Sequence, residues 1–221
     1  MKPGLVKIIY RRTIGRAACT SLVGRLRDRE RQDEGRFTRQ QVDELLKETW
    51  AAYDQLAPHV PHEPKIGNRL NMLFAAMTLA FLHVLVARGT GRAYAIELVG
   101  DVAWMVYERW GRIPIALARL RSRNPHERMR VSVEMFLRFP FTPPGYRFDR
   151  LPSDEGISLD MLRCPVAEYF RREGASDLCI GTWCNLDFPL AEMWGGRLER
   201  TQTLAAGCDR CDFRFKAGGP K

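Results

Sequence analysis

The stretch that decides the fold is MLFAAMTLAFLHVLVA, residues 72–87, in which only Thr78 and His83 interrupt a run of apolar residues. A helix that spans a membrane needs about 20 consecutive apolar residues, so this segment is too short and too interrupted to cross one. The segment instead predicts a helix in the core of a globular domain, with His83 buried and its hydrogen bonds satisfied. We expect the rest of the chain to pack around this helix.

Further helices are predicted on both sides of this segment. Thr38 is expected to cap a helix over residues 39–57, because apolar residues recur there at helical spacing on one face. The sequence PHVPHEP at 58–64 then ends that helix. The same periodicity predicts helices over residues 68–87, 93–111 and 124–139, with their aromatic and methionine side chains in the core.

After residue 138 the sequence pattern changes from helical to mixed. Two alternating runs, Tyr146–Leu151 and Gly156–Leu162, predict strands joined by the polar turn PSDEG. A short helix with Pro165 in its first turn follows, and then a helical region that holds Cys179 and Cys184. The closing sequences RLERTQTLAAG and CDFRFK predict a hairpin. The fold class is therefore α+β, an N-terminal helical half followed by a small mixed α/β module that carries the cysteines.

These patterns divide the chain into three segments. We predict a basic N-terminal arm at 1–36, a helical region at 37–137 and a cysteine-bearing α+β module at 138–221, with 37–221 forming one compact domain. A chain of 221 residues can bury a core without disulfides. The composition, 45% hydrophobic and 28% charged, is typical of a soluble globular protein.

The positive charge of the chain is concentrated at its N-terminus. The formal net charge is +9, and residues 1–40 supply +7 of it through eleven basic and four acidic residues. Arg25, Arg27, Arg29 and Arg31 have no aromatic residues between them. We interpret this region as a solvated arm or helix face, and the alternative is a patch for nucleic acid or an anionic membrane. Nucleic acid is not the expected partner, and the oligomeric state stays open.

The N-terminal sequence carries no recognisable export signal. It lacks an apolar core that ends in a cleavage-like pattern, and the pair Arg11-Arg12 lacks the run that an export signal needs. We therefore predict a cytoplasmic protein without a transmembrane segment. In the cytoplasm, cysteines are typically ligands, nucleophiles or buried thiols and not disulfides.

Five of the six cysteines lie within 48 residues near the C-terminus, and this clustering indicates chemistry. They are Cys164, Cys179, Cys184, Cys208 and Cys211, whereas Cys19 stands alone. The pairs 179/184 and 208/211 could form a four-thiolate zinc site. The pair 208/211 could form a redox dithiol, although such motifs normally open a helix. A subset of the cysteines, with Asp187 and Asp212, could instead line a small-molecule site.

The segment 163–216 resembles the L-2-amino-thiazoline-4-carboxylic acid hydrolase family. The resemblance depends on the Cys164-Pro165 pair, on Cys184-x-x-Asp187, on the motif RTQTL from Arg200 to Leu204, and on Cys211-Asp212-Phe213. The helical half before this segment is similar to the family in outline. Cys179 and Cys208 lie outside the family motifs.

The resemblance implies an enzyme, a hydrolase that opens a small cyclic amidine or thiazoline-type amino acid derivative at a carbon–nitrogen bond. It implies that Cys184 or Cys164 is a nucleophile, with Cys211 at the same site, or that these three thiolates hold zinc or another divalent metal. Asp187 would manage protons. Arg200 would bind the substrate carboxylate, with Thr203 and Asp212 as further substrate ligands.

A second function class stays open beside the enzyme. The ending GCDRCDF is also similar to that of 4-vinyl-reductase-type domains, in which cysteines bind a metal and the domain senses a ligand. The alternative to the hydrolase is therefore a non-catalytic module that binds zinc or a ligand.

Overall fold

The computed structural model describes residues 3–154 and 156–218, without the side chains of Pro3 and Leu5. The first two residues of the expected arm, Glu155 of the expected turn and the last three residues of the expected module lie outside the described residues. The helices are α1 (Pro3–Leu22), α2 (Arg39–Leu56), α3 (Ile66–Ala87), α4 (Arg92–Arg121), α5 (Pro125–Arg138), α6 (Pro165–Arg172), α7 (Ser176–Cys179) and α8 (Asp187–Met193), with a π-helical turn at Ile180–Cys184 and 3-10 turns at Gln32–Glu34, Ala57–His59 and Leu204–Ala206. The strands are β1 (Arg147–Leu151), β2 (Gly156–Arg163), β3 (Gly196–Glu199) and β4 (Cys211–Ala217). The α+β fold class is thus confirmed.

Helix α3 is the central helix that the apolar segment predicts. By length and composition it could cross a membrane, but 78% of its most apolar window is buried inside the molecule, as in a core helix. The prediction for His83 is wrong, because His83 is exposed, on the face that it shares with Val86 and Ala87. The other three histidines are exposed too.

Helix α2 begins where the sequence predicts. The Thr38 hydroxyl accepts a hydrogen bond from the Gln41 amide, and the Gln41 side chain accepts one from the Thr38 amide. This reciprocal capping box satisfies two amides that the first helical turn would otherwise leave without partners.

Helix α4 continues ten residues beyond the predicted end at Gly111. A Cβ atom at Gly111 would lie 2.3 Å from Leu190 Cδ1 and 2.4 Å from Met193 Cε. The Trp194 indole also donates a hydrogen bond of 2.9 Å to the Gly111 carbonyl. The glycine therefore serves the close approach of α8 and does not mark a helix end.

The four strands form one antiparallel sheet in the order β1-β2-β4-β3. In β2 the buried residues Ile157, Leu159 and Met161 alternate with less buried ones, which is the pattern of a strand with one face on a core. Met161 pairs with Cys211. This register brings the start of β4 beside the end of β2, only three residues before Cys164.

The predicted closing hairpin is confirmed as an antiparallel pairing of β3 with β4, but β3 is shorter than predicted. The chain leaves the strand after Glu199. The Asp212 carboxylate accepts hydrogen bonds from the amides of Thr201 (2.9 Å) and Gln202 (2.6 Å). Because these amides bond to a side chain, they are not available for a strand ladder.

Two hydrophobic cores meet near the end of β2. One lies among α1, α2, α3, α6 and the first half of α4, and the other lies among α5, α8, the end of α4 and the sheet. Cys164, Trp110 and Leu204 pack against both cores. The division into an arm, a helical region and a module stays a prediction.

Candidate active site

A cavity of about 100 Å³ lies where the two cores meet. Six of the predicted site residues line it: Cys164, Cys184, Asp187, Arg200, Thr203 and Cys211. Most of the remaining wall is apolar or aromatic. A concave, largely apolar cavity with a few convergent polar groups is the usual form of a small-molecule site.

Cys184 is the last residue of the π-helical turn that follows α7. In this turn the backbone is wider than an α-helix, with the Asn185 amide bonded to the Ile180 carbonyl five residues earlier. The Cys184 sulfur lies 4.0 Å from the Cys179 sulfur and 3.5 Å from the Thr203 hydroxyl. When Cys184 is a thiolate, the Cys179 thiol and the Thr203 hydroxyl can each donate a hydrogen bond to its sulfur.

These donors lower the pKa of the Cys184 thiol. The hydrogen bond from Cys179 has the largest effect; the Thr203 hydroxyl and the charge of Arg200 add to it, and together they outweigh burial and bring the pKa to about 6. The pKa of Cys179 is raised well above its ordinary value, because it keeps the proton that it donates and is buried. These contacts favour the thiolate form of Cys184 over that of the other cavity cysteines.

The other two cavity cysteines stay protonated. Burial raises the pKa of Cys164, whose sulfur accepts a long hydrogen bond (3.5 Å) from the Ala167 amide at the start of α6. Burial also raises the pKa of Cys211. The Cys211 sulfur accepts from the Leu204 amide (3.2 Å) and lies 3.4 Å from the Thr203 hydroxyl.

Arg200 links the backbone of Cys184 to the carboxylate of Asp187. Its Nη1 donates to the Cys184 carbonyl (2.9 Å) and to Asp187 Oδ2 (3.0 Å), and its side chain is only 6% exposed. The guanidinium also lies over the rings of Phe188 and Phe213, at 4.9 and 5.6 Å from their centroids. Stacking and hydrogen bonding thus fix the cation in one orientation.

Asp187 is a carboxylic acid with an unusually high pKa. Burial, with a smaller effect from the negative charge of Cys184, raises the pKa to about 7 against the opposing effect of Arg200. Thiolate, neutral carboxyl and guanidinium together carry no net charge, whereas ionising Asp187 would bury an uncompensated negative charge. At neutral pH the carboxyl can therefore both donate and accept a proton.

Two residues that the sequence offered as candidates for the site, Asp212 and Cys208, do not line the cavity. Asp212 faces the turn after β3, where it accepts hydrogen bonds from the Thr201 amide and hydroxyl and from Gln202. Its role as a substrate ligand stays a prediction. Cys208 also lies outside the cavity lining, in the loop before β4.

Sequence reasoning missed two polar residues of the cavity. Cys179 seemed an addition outside the family motifs, yet it supplies the hydrogen bond that most lowers the pKa of Cys184. Its spacing of five residues from Cys184 matches a π-helical turn, which is the one signal that could have found it. Tyr107 lies on α4, where the helical periodicity of the sequence predicts a core residue. Burial raises the pKa of its hydroxyl well above the ordinary value.

A second cavity of about 90 Å³ lies beside the first, among α1, α3, α4 and α5. The two share Tyr107, Phe136 and Trp183 as walls. Its polar atoms are mostly engaged: the Trp183 indole donates to the Thr78 hydroxyl (3.3 Å), and the Asn71 amide donates to the Tyr146 hydroxyl (2.9 Å). The second cavity is thus an apolar chamber next to the thiolate.

Among the described residues, no group of three or more His, Cys, Asp or Glu side chains is arranged to hold a metal ion. The Thr203 hydroxyl lies between the sulfurs of Cys184 and Cys211, at 3.5 and 3.4 Å. Structural zinc sites instead direct four ligands at one point. The arrangement does not fit a resident metal, so we derive no step through one.

The fold thus places a thiol, a carboxyl and a guanidinium around one buried cavity. Residues 70–215 match the model of the family described as L-2-amino-thiazoline-4-carboxylic acid hydrolase. The chain belongs to this family, and the resemblance predicted from the cysteine motifs is confirmed. No curated protein and no solved structure matches the chain.

Proposed function

We propose that the protein hydrolyses a small cyclic amidine of the 2-amino-thiazoline type, opening the ring at a carbon–nitrogen bond with Cys184 as the nucleophile. The observation that carries the proposal is the position of Arg200, whose Nη1 donates both to the Cys184 carbonyl and to Asp187. This contact holds an activated thiol and a proton-donating carboxyl at one buried cavity. The family name supports the substrate class.

In the first step the Cys184 thiolate adds to the ring carbon between sulfur and nitrogen. The electron pair of the carbon–nitrogen double bond moves to the ring nitrogen, which takes the proton of Asp187. The adduct collapses with cleavage of the ring carbon–nitrogen bond, while the Asp187 carboxylate passes one proton from the exocyclic nitrogen to the leaving ring nitrogen. The product of this step is an amine that stays attached to Cys184 through an iminodithiocarbonate carbon, which carries one nitrogen and two sulfurs.

In the second step water releases the product. The Asp187 carboxylate takes one proton from water, and the oxygen adds to the carbon attached to Cys184. The hydroxyl proton moves to the nitrogen that had been double-bonded to this carbon, and the adduct then expels the Cys184 thiolate and leaves a carbamoyl group on the substrate sulfur. The thiolate and the protonated Asp187 are both regenerated, so the cycle consumes one water and no other reactant.

The remaining polar groups are assigned to binding. Nη1 of Arg200 donates to the Cys184 carbonyl and to Asp187. The remaining N–H groups of the guanidinium are assigned to hold the substrate carboxylate. Thr203 lies within 3.5 Å of the Cys184 sulfur and stabilises the thiolate as it leaves. Cys164 and Cys211 carry raised pKa values and are assigned to shape the cavity as neutral thiols.

Turnover of 2-amino-thiazoline-4-carboxylate, followed as loss of substrate and gain of amine, tests the proposal. Wild-type protein is expected to open the ring, and Cys184→Ser is expected to lose at least about a thousandfold in kcat/KM because a hydroxyl is a far weaker nucleophile at this pH. Cys208→Ser, outside the cavity, is the matched control and is expected to keep full activity. Full turnover by Cys184→Ser would overturn the proposal. So would a wild type that turns over no thiazoline, cyclic amidine or N-carbamoyl compound, a result that the non-catalytic module predicts.

A further inference from the structure

We propose that the protein binds anionic lipid surfaces through a face formed by α1 and the C-terminal half of α4. This basic–apolar face consists of the exposed aliphatic residues Ile8, Ile9, Ile113, Leu117 and Leu120 and the exposed arginines Arg11, Arg12, Arg119, Arg121 and Arg123. The proposal is independent of the proposed reaction, because the face contains no residue of either cavity.

Helix α4 carries an apolar stripe on its outer side. Ile113, Leu117 and Leu120 follow one another at helical spacing and are 59%, 47% and 86% exposed. The same stretch buries Ile115 and Ala118, so the helix already has a separate contact with the core. A surface helix normally turns its apolar stripe inward. A second stripe that faces solvent is the mark of an interaction surface.

Helix α1 extends this surface. The two helices run antiparallel, since Ser21 contacts the Asp101 carbonyl at one end and the ring of Tyr10 stacks on Trp110 with centroids 6.3 Å apart at the other. The two exposed isoleucines of α1, 77% and 52% exposed, lie within one helical turn of Tyr10. Ile113 lies within one turn of Trp110. The two isoleucines of α1 therefore lie at the level of Ile113, and Leu117 and Leu120 continue the exposed stripe along α4.

None of the arginines of this face forms an ion pair within residues 3–154 and 156–218, although the charge of Arg121 acts on the Glu127 carboxylate. The neighbouring carboxylates are engaged elsewhere, Glu108 with Arg112 and Glu127 with Arg130. Other N-terminal arginines, by contrast, do find acidic partners on α4. The basic–apolar face therefore has an excess of positive charge that the protein does not compensate.

An anionic bilayer suits both the aliphatic and the basic side chains of this face better than a second copy of the chain or nucleic acid does. A second copy packed about a two-fold axis would place this positive face against an identical positive face, which like-charge repulsion opposes. Nucleic acid would pair with the arginines but leave the aliphatic side chains in water. An anionic bilayer accepts both, because the aliphatic side chains enter the acyl boundary while the arginines reach the headgroup phosphates.

Cosedimentation with lipid vesicles tests the proposal. Wild-type protein is expected to bind phosphatidylcholine vesicles that contain about one quarter phosphatidylglycerol at least about tenfold better than pure phosphatidylcholine vesicles, and salt is expected to weaken the binding. The double variants Leu117→Gln/Leu120→Gln and Arg119→Gln/Arg121→Gln are each expected to lower binding to the anionic vesicles by about tenfold or more.

The matched controls are Val86→Gln at the end of α3 and Arg171→Gln on α6, two exposed positions outside the face. Both are expected to bind like the wild type. Binding that is equal on neutral and anionic vesicles, or absent from both, would overturn the proposal. So would a dimer in sedimentation analysis that Leu117→Gln/Leu120→Gln converts to a monomer, or a preference for duplex DNA over the anionic vesicles.

Discussion

At the scale of single residues, four thiols in one cavity differ in acidity because their neighbours differ. Cys184 accepts hydrogen bonds from Cys179 and Thr203 and lies near the charge of Arg200, so its pKa falls to about 6. Cys164 has only long or weak donors and a buried position, so its pKa rises. The family motif contains both Cys184 and Cys164, so the sequence alone does not indicate which of the two thiols is the more acidic.

The acidity of Cys184 predicts how it reacts with iodoacetamide. Its alkylation rate is expected to reach half of its maximum near pH 6, because the thiolate is the reactive form and the pKa is about 6. In Thr203→Val the midpoint is expected to move to higher pH, since the thiolate loses a hydrogen-bond donor. Peptide mass mapping at several pH values measures both. A midpoint near that of an ordinary thiol in the wild type would contradict the assignment.

The raised pKa of Asp187 predicts a bell-shaped pH profile for kcat/KM. The rate is expected to rise as pH increases through about 6, where Cys184 ionises, and to fall as pH increases through about 7, where Asp187 loses the proton that it donates. Asp187→Asn is expected to lower kcat/KM by roughly 10²–10⁴-fold and to remove the descending limb. A variant that kept the limb near pH 7 would show that another group titrates there.

At the scale of elements, the turn between β3 and β4 positions the site. Arg200 and Thr203 lie in this turn, and the Asp212 carboxylate holds its backbone by hydrogen bonds from Thr201 and Gln202. Desolvation opposes the charged form, but these hydrogen bonds outweigh it and lower the pKa of Asp212. Asp212 thus supports the residues that line the cavity without lining it.

This arrangement predicts the effect of Asp212→Asn on stability. The variant is expected to lose about 1 kcal/mol of unfolding free energy at neutral pH, because weaker hydrogen bonds replace those to a charged acceptor. A lowered pKa contributes stability above the unfolded-state value and loses it as pH falls through the folded-state value. The difference from wild type in urea unfolding should therefore shrink in acid. Asp209→Asn, exposed in the same loop, is the control, and an equal loss in both variants would contradict the prediction.

The periodicity of apolar residues predicted most helices and strands correctly. It failed where contacts with distant parts of the chain determine the bounds of an element. The helix capped by Thr38 and the strand at 156–163 follow from local pattern alone. The sequence did not predict that α4 continues past Gly111, because the reason for the glycine is the approach of α8. The π-helical turn at Ile180–Cys184 also left no local signal beyond the spacing of two cysteines.

At the scale of the whole molecule, the cavity exists because two cores meet without filling the space between them. The helical core and the sheet core come from distant parts of the sequence, and Cys164 contacts both. The sequence could indicate which C-terminal residues belong together, because the family motif groups them. It could not indicate that Tyr107 on α4 closes the same cavity, since its helical stripe reads as core.

The distribution of charge is also a property of the whole molecule. The sequence assigned the basic excess to residues 1–40, but Arg25 and Arg29 lie against Asp101 and Glu97 on α4. Part of the N-terminal charge is thus compensated, whereas Arg11 and Arg12 form no ion pair with the described part of the chain and lie on the basic–apolar face. Pairings over this sequence distance depend on how α1 and α4 pack, which no local pattern reveals. The cytoplasmic location stays a prediction.

The most direct test of the central claim is intact-protein mass spectrometry of the wild type quenched during turnover of 2-amino-thiazoline-4-carboxylate. Because the first step is an addition without a leaving molecule, the account predicts a transient mass increase of one whole substrate, mapped to the peptide that contains Cys184. The adduct should be absent from Cys184→Ser. Turnover that proceeds with Cys184 unmodified, together with an active Cys184→Ser variant, would contradict the account.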